Sequence, residues 1–181
     1  MPSPPPPHDP SKANTIHVIQ GSFKTSGDPD AIMMTILGSC VSACIWDDVA
    51  QVGGMNHFLL ANEPDKCAEG YRHGLHAMEL LINDLLKIGA QRHRLKAKIF
   101  GGAMMQNRFG RIGKANAEFA LHFLKAEDIP VLAQSLGGTM ARRVRFWPTT
   151  GFAQQRLLPE DDAPQVSQSP QFSQDITLFK D

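Results

Sequence analysis

Apolar and polar positions follow two different periods along this chain. Ile16 to Ile19 opens with a short alternating stretch, and Ala31 to Leu37 is apolar throughout, as a buried strand would be. Val41 to Trp46 alternates with β-branched and aromatic content, and Gln51 to Leu60 reads as its antiparallel partner. The period then changes. Leu75, Met78, Leu81, Ile82, Leu85, Leu86 and Ile88 fall at helical spacing, which predicts a helix over Gly74 to Ile88 with Gly89 as its stop. Leu95 to Phe100 is a further short strand that ends at Gly101-Gly102. Asn116 is an expected N-cap for a second helix through Lys125, closed by Ile129-Pro130. Val131 to Leu136, Ala141 to Trp147 and Phe152 to Leu158 complete the strands, with Thr149-Thr150-Gly151 as a turn between the last two. About seven to nine strands and two helices predict an α/β fold, a layered mixed β-sandwich with the two main helices packed on one side.

The ends of the chain break this pattern. Six of the 13 prolines lie in the first ten residues, so residues 1–14 are read as a flexible Pro-rich tail. Pro159 to Gln174 is rich in Pro, Gln, Ser and Asp. Residues 159–181 are therefore read as a polar tail, with Ile176 to Phe179 as a short edge strand. That leaves 15–158 as a single α/β domain, a normal size for one domain. Lys+Arg and Asp+Glu both number 18, which excludes a globally basic nucleic-acid binder. Three cysteines point to a reducing compartment rather than a disulfide scaffold. No apolar run reaches the roughly 18–20 residues that span a bilayer. The N-terminus has neither the basic start nor the apolar stretch of a signal peptide. A cytoplasmic protein without membrane insertion is expected.

The candidate chemistry lies in Leu37-Gly38-Ser39-Cys40-Val41-Ser42-Ala43-Cys44 and Gly53-Gly54-Met55-Asn56-His57-Phe58. If Asp47 to Ala50 form a four-residue hairpin loop, Trp46 pairs with Gln51 and Cys40 falls opposite His57. A thiol facing an imidazole is the minimum for an activated cysteine nucleophile. Gly38 permits a tight backbone that exposes the sulfur and aims N–H groups at a developing oxyanion. An oxygen acceptor should orient the imidazole; Thr35, Asn56 and Ser39 are the candidates. Thr35 and Cys40 would point to opposite faces of an unbroken strand, so Thr35 requires a turn at Gly38-Ser39. Cys44 reads as a small core residue, and Cys67 has no assigned role. The cysteines lack the CxxC spacing of a zinc site, so no metal is expected.

Lys87, Arg92, Arg94, Lys96, Lys98, Arg108, Arg111 and Lys114 run without an acidic residue between Asp84 and Glu118, and Arg142, Arg143 and Arg145 follow. They read either as a solvated face or as a docking surface for an acidic partner. Gly101-Gly102 and Gly137-Gly138 match no phosphate-binding fingerprint and are read first as ordinary turns. His73, His76, His93 and His122 show no clustering.

The two motif segments resemble the chemoreceptor glutamine deamidases of the CheD family. Ile99-Phe100-Gly101-Gly102-Ala103, Ile112-Gly113 and Gly137 to Val144 follow in the same order, so the resemblance spans Thr15 to Gly151. It implies a fold like that of the toxin deamidases. It also implies Cys40 as nucleophile, His57 as base and Thr35 as third triad member, with no cofactor. The activity implied is a cysteine-dependent protein-glutamine glutaminase that converts glutamines on chemoreceptor cytoplasmic helices to glutamates. The implied partners are those receptors and the chemotaxis phosphatase CheC, and not nucleic acid. Two other readings remain open from the residues: a non-catalytic module that binds a phosphatase or receptor, and a different cysteine hydrolase.

Overall fold

The computed structural model describes residues 13–60, 67–104 and 110–159. The Pro-rich stretch 1–12 and the polar stretch from 160 onward, with its expected edge strand, lie outside the described residues. Nine strands and two long helices are found among them. The strands are β1 (Asn14–His17), β2 (Ser22–Ser26), β3 (Ala31–Leu37), β4 (Val41–Asp47), β5 (Val52–His57), β6 (Lys96–Gly101), β7 (Val131–Leu136), β8 (Arg142–Trp147) and β9 (Phe152–Leu157). The helices are α1 (Cys67–Lys87) and α2 (Gly110–Ala126). No described helix is long and apolar enough to cross a membrane.

The strands form two sheets, β1-β3-β8-β9 and β2-β5-β4-β6-β7. Both helices pack on the second sheet. The result is three layers, sheet on sheet on helices, as the pattern of elements predicts. Met33, Leu37, Cys44, Trp46, Met55, Phe100 and Phe146 fill the space between the sheets. Val41, Ala43, Ile45, Leu81, Leu85, Ile99 and Leu124 fill the space under the helices. β4 is central and covered on both faces, so all seven of its residues are buried. β2 has no counterpart in the sequence reading. It is a polar, half-buried edge strand, Ser-Phe-Lys-Thr-Ser, without the alternation that marks a strand.

Three details differ from expectation. α1 begins at Cys67 rather than at Gly74. Gly74 sits inside the helix because Leu60 and Phe119 press where its Cβ would be, so a residue that usually weakens a helix here permits packing. Asn116 is not an N-cap, because α2 starts at Gly110. Asn116 is fully buried in mid-helix, where its Oδ1 accepts the Leu60 N–H (2.9 Å) and its Nδ2 donates to the Ser39 carbonyl (2.8 Å). It thus ties α2 to the residue next to Cys40. Asn116→Ala is expected to cost about 1–3 kcal/mol by leaving those buried groups unpaired, read as a lower urea midpoint.

The third difference is the β4–β5 register. Trp46 pairs with Gly53 and Cys44 with Met55, and an isolated bridge joins Val41 and Phe58. The hairpin is therefore shifted by two residues from the predicted pairing, and Cys40 does not lie opposite His57. The cause is Asp47, which stays in the strand and closes the turn with its own carboxylate. Its Oδ1 accepts the N–H groups of Val49 and Ala50, both at 3.0 Å, and Gln51 takes a left-handed conformation (φ 53°). A two-residue shift preserves the face on which each side chain lies. Cys40 and His57 therefore become diagonal neighbours, still within reach of a long side chain.

Candidate active site

β3 and β4 belong to different sheets, and the chain bends between them at Gly38-Ser39. This bend supplies the turn that Thr35 requires. Thr35 faces inward from the first sheet, in register with buried Val144, and His57 faces inward from the second. The Thr35 Oγ1 lies 2.9 Å from His57 Nδ1 and 2.7 Å from the Val18 carbonyl oxygen. A carbonyl can only accept, so the Thr35 hydroxyl donates to Val18. Its oxygen then accepts from Nδ1–H of a neutral His57. That tautomer leaves the lone pair on Nε2, which is buried and has no hydrogen-bond partner among the described residues. Burial pulls the His57 pKa below the ordinary imidazole value, and the Val18 backbone opposes this in part. The ring is therefore held neutral, aligned and basic at one nitrogen.

Cys40 is 9% exposed. Burial pushes its thiol up to about 11, although its own backbone N–H favours the thiolate. Its Sγ donates to Gln20 Oε1 at 3.5 Å. The resting pair is thus thiol and neutral imidazole.

Asn56, another candidate for the third member, does other work. Asn56 faces the helices, where its Oδ1 accepts the Ala43 N–H (2.9 Å), and its side chain replaces a backbone partner in the ladder. The Ser39 carbonyl is held by Asn116. Cys44 is fully buried between the sheets, as expected of a core residue, with its thiol pushed up to about 12 by burial. The side chain of Cys67 lies outside the described residues.

The glycine turns prove to be more than loop punctuation. Gly101 has φ +115°, and a Cβ there would overlap the Cys40 carbonyl oxygen. Gly102 N–H bonds that same oxygen at 2.8 Å, and Ala103 N–H bonds the Gly38 carbonyl at 2.9 Å. The Gly101-Gly102 backbone therefore clamps the Cys40 loop from both ends. The basic run is not a single patch. Arg94 pairs with buried Asp47, Lys96 with Asp48, Arg92 with Glu127 and Lys114 with Glu118. Arg142 is buried and donates to the Ser135 and Gly137 carbonyls. Arg108 lies outside the described residues. Gln20 and Val18 were missed by the sequence reading. Neither belongs to a recognisable motif, since one acts through a backbone oxygen and the other lies 20 residues from the cysteine.

A family model described as CheD chemotactic sensory transduction matches residues 59–156, more than half of the chain. The chain belongs to the CheD family. Its likeness to individual members extends further than that match. A protein of Cereibacter sphaeroides, called a probable chemoreceptor glutamine deamidase, is 52% identical and covers 93% of this chain and 87% of its own length. One of Caulobacter vibrioides with the same description is 51% identical, over 90% of this chain and 88% of that one. Alignments that cover this much of the chain take in residues 35–57, which precede the family-model match. Among solved structures, a Neisseria meningitidis protein aligns over 71% of this chain and 65% of its own at 10% identity, with a TM-score of 0.47.

Proposed function

We propose that this CheD-family chain is a chemoreceptor glutamine deamidase in which Cys40 is the nucleophile, His57 the base and Thr35 the group that orients it. The observation that carries this reading is the chain from the Val18 carbonyl through Thr35 to His57 Nδ1, which leaves Nε2 as the free base on the face that also carries Cys40. His57 Nε2 takes the thiol proton as Cys40 Sγ attacks the side-chain carbonyl carbon of a substrate glutamine. The carbonyl becomes a tetrahedral oxyanion, which backbone N–H groups near Cys40 stabilise. His57 returns the proton to the nitrogen, ammonia leaves, and a thioester remains. Water, deprotonated by His57, attacks the thioester. Glutamate departs and the thiol is restored.

The catalytic unit is residues 15–158, acting in the cytoplasm on receptor helices, with the phosphatase CheC as a partner. Incubation with a chemoreceptor cytoplasmic fragment should convert particular glutamines to glutamate, mapped by peptide mass. No conversion by the reduced protein would overturn the reading. Thr35→Ala is expected to lower kcat about 10–100-fold by releasing the imidazole, while Thr35→Ser retains most of the rate because the hydroxyl survives. Equal losses in the two variants would show that the Thr35 methyl group, not its hydroxyl, matters.

A further inference from the structure

The side chain that touches the nucleophile is itself a glutamine. Gln20 lies in the connection between β1 and β2, whose backbone is tied down on both sides. Gly21 N–H bonds the His57 carbonyl (2.8 Å), and Ser22 bonds the Ile19 carbonyl through its N–H (3.1 Å) and hydroxyl (2.7 Å). The backbone at Gln20 is therefore fixed relative to His57, and only the side chain is free to rotate. Its carboxamide oxygen accepts the Cys40 thiol at 3.5 Å. Gln20 is exposed although the residue it covers is nearly buried. Gln20 also borders a cavity of about 410 Å³, walled mainly by Phe23, Phe58, Leu59, Leu60 and Leu80. That volume is open beside the side chain, so Gln20 can leave the sulfur without displacing another group.

We propose that Gln20 occupies the substrate carboxamide subsite: its side-chain amide holds the place at Cys40 that the target glutamine takes, and substrate must displace it into the neighbouring cavity. The inference rests on Cys40 being the nucleophile. The chemistry of the contact favours it, because the group bonded to Cys40 is the same primary carboxamide on which the enzyme acts. Plug and substrate therefore compete for one thiol with the same acceptor oxygen. The plug also accounts for a nucleophile that is protonated and covered at rest. A thiol held under an internal amide is shielded from adventitious oxidants and alkylating agents until a genuine substrate arrives.

The test is the rate at which iodoacetamide alkylates Cys40, followed by peptide mass so that Cys44 and Cys67 do not interfere. Gln20→Ala should alkylate about fivefold faster, the Boltzmann weight of one ordinary net hydrogen bond. Its KM for a chemoreceptor fragment should fall by a similar factor. Gln20→Glu keeps an acceptor but sets a carboxylate against a forming thiolate, so its alkylation should be slower than that of the parent protein. Gln20 is exposed and makes no other side-chain hydrogen bond among the described residues, so both variants should melt close to the parent temperature. An unchanged or slower alkylation rate in Gln20→Ala would overturn the plug. Conversion of Gln20 itself to glutamate in the parent protein would also overturn it, since the residue would then be a substrate. The two readings fail separately. Receptor deamidation by Cys40→Ala would sink the nucleophile assignment, whereas an inactive Cys40→Ala with unchanged alkylation in Gln20→Ala would sink only the plug.

Discussion

Cys40→Ala is expected to reduce receptor-glutamine conversion by about 10⁴-fold or more, to the level of a no-enzyme control. Without the sulfur no thioester forms, and water has no equivalent position from which to attack an amide. His57→Ala should be nearly as damaging. The double variant should be no worse than either single one, because the two groups act as a unit and their losses do not add. A His57→Ala protein with a tenth of the parent rate would remove the imidazole from the mechanism. The resting state has its own signature in pH. Cys40 is raised to about 11 and His57 is lowered, so the thiol is protonated and the ring neutral at pH 7. Alkylation of Cys40 without substrate should therefore climb steadily from pH 7 towards 10. An ion pair formed at rest would instead give a plateau on the acid side.

Asp47→Ala is expected to be the most destabilising of these substitutions, by about 3–5 kcal/mol. The carboxylate is fully buried and bears most of the local polar structure. It accepts Val49 and Ala50 N–H in its own turn, Gln91 N–H from the α1–β6 connection, and Arg94 Nε through both oxygens. Removing it strands three backbone donors and leaves a partly buried guanidinium without its counter-charge. Asp47→Asn keeps some acceptors but loses the charge, and should fall between the parent and Asp47→Ala. Urea unfolding at pH 7 measures this order. The pH dependence follows from the direction of the shift. Although burial raises the Asp47 pKa, Arg94 and the backbone donors outweigh it and hold the carboxyl at about 2, below the ordinary value of 3.8. The stabilisation is thus complete above pH 3.8 and is lost as pH falls towards 2. Asp47→Ala should lack that acid-dependent component. A variant that loses stability with acid as steeply as the parent would show that other carboxylates carry it.

Much of the architecture was visible in one dimension. β3, β4 and the second half of α1 were legible because burial, on both faces of β4 and on one face of α1, demands apolar residues in a run or at a helical repeat. The start of α1 was not, because Gly74 looks like a boundary until Phe119 is seen packed against it. Asn116 is a good cap by residue type, and only the neighbouring Ser39 and Leu60 backbones explain its place in mid-helix. The basic run looked like a surface patch because its acidic partners, Asp47, Asp48 and Glu127, are distant in sequence.

The sequence by itself determined which chemistry the site can hold. Cys40 and His57 stand in recognisable motifs, and the two-residue period of side-chain direction in β3, β4 and β5 sets the face on which each side chain lies. Even a register shifted by two residues left Cys40 and His57 on one face, because side-chain direction in a strand has a period of two. Tertiary structure alone decided how those groups meet. Thr35 reaches His57 across the gap between two sheets, and Val18 sets the tautomer through a backbone oxygen that is the same for every residue type. The Gly101-Gly102 backbone holds the Cys40 loop, and Gln20 covers its sulfur. Such contacts join residues far apart in the chain and depend on backbone position, so no local pattern of side chains records them.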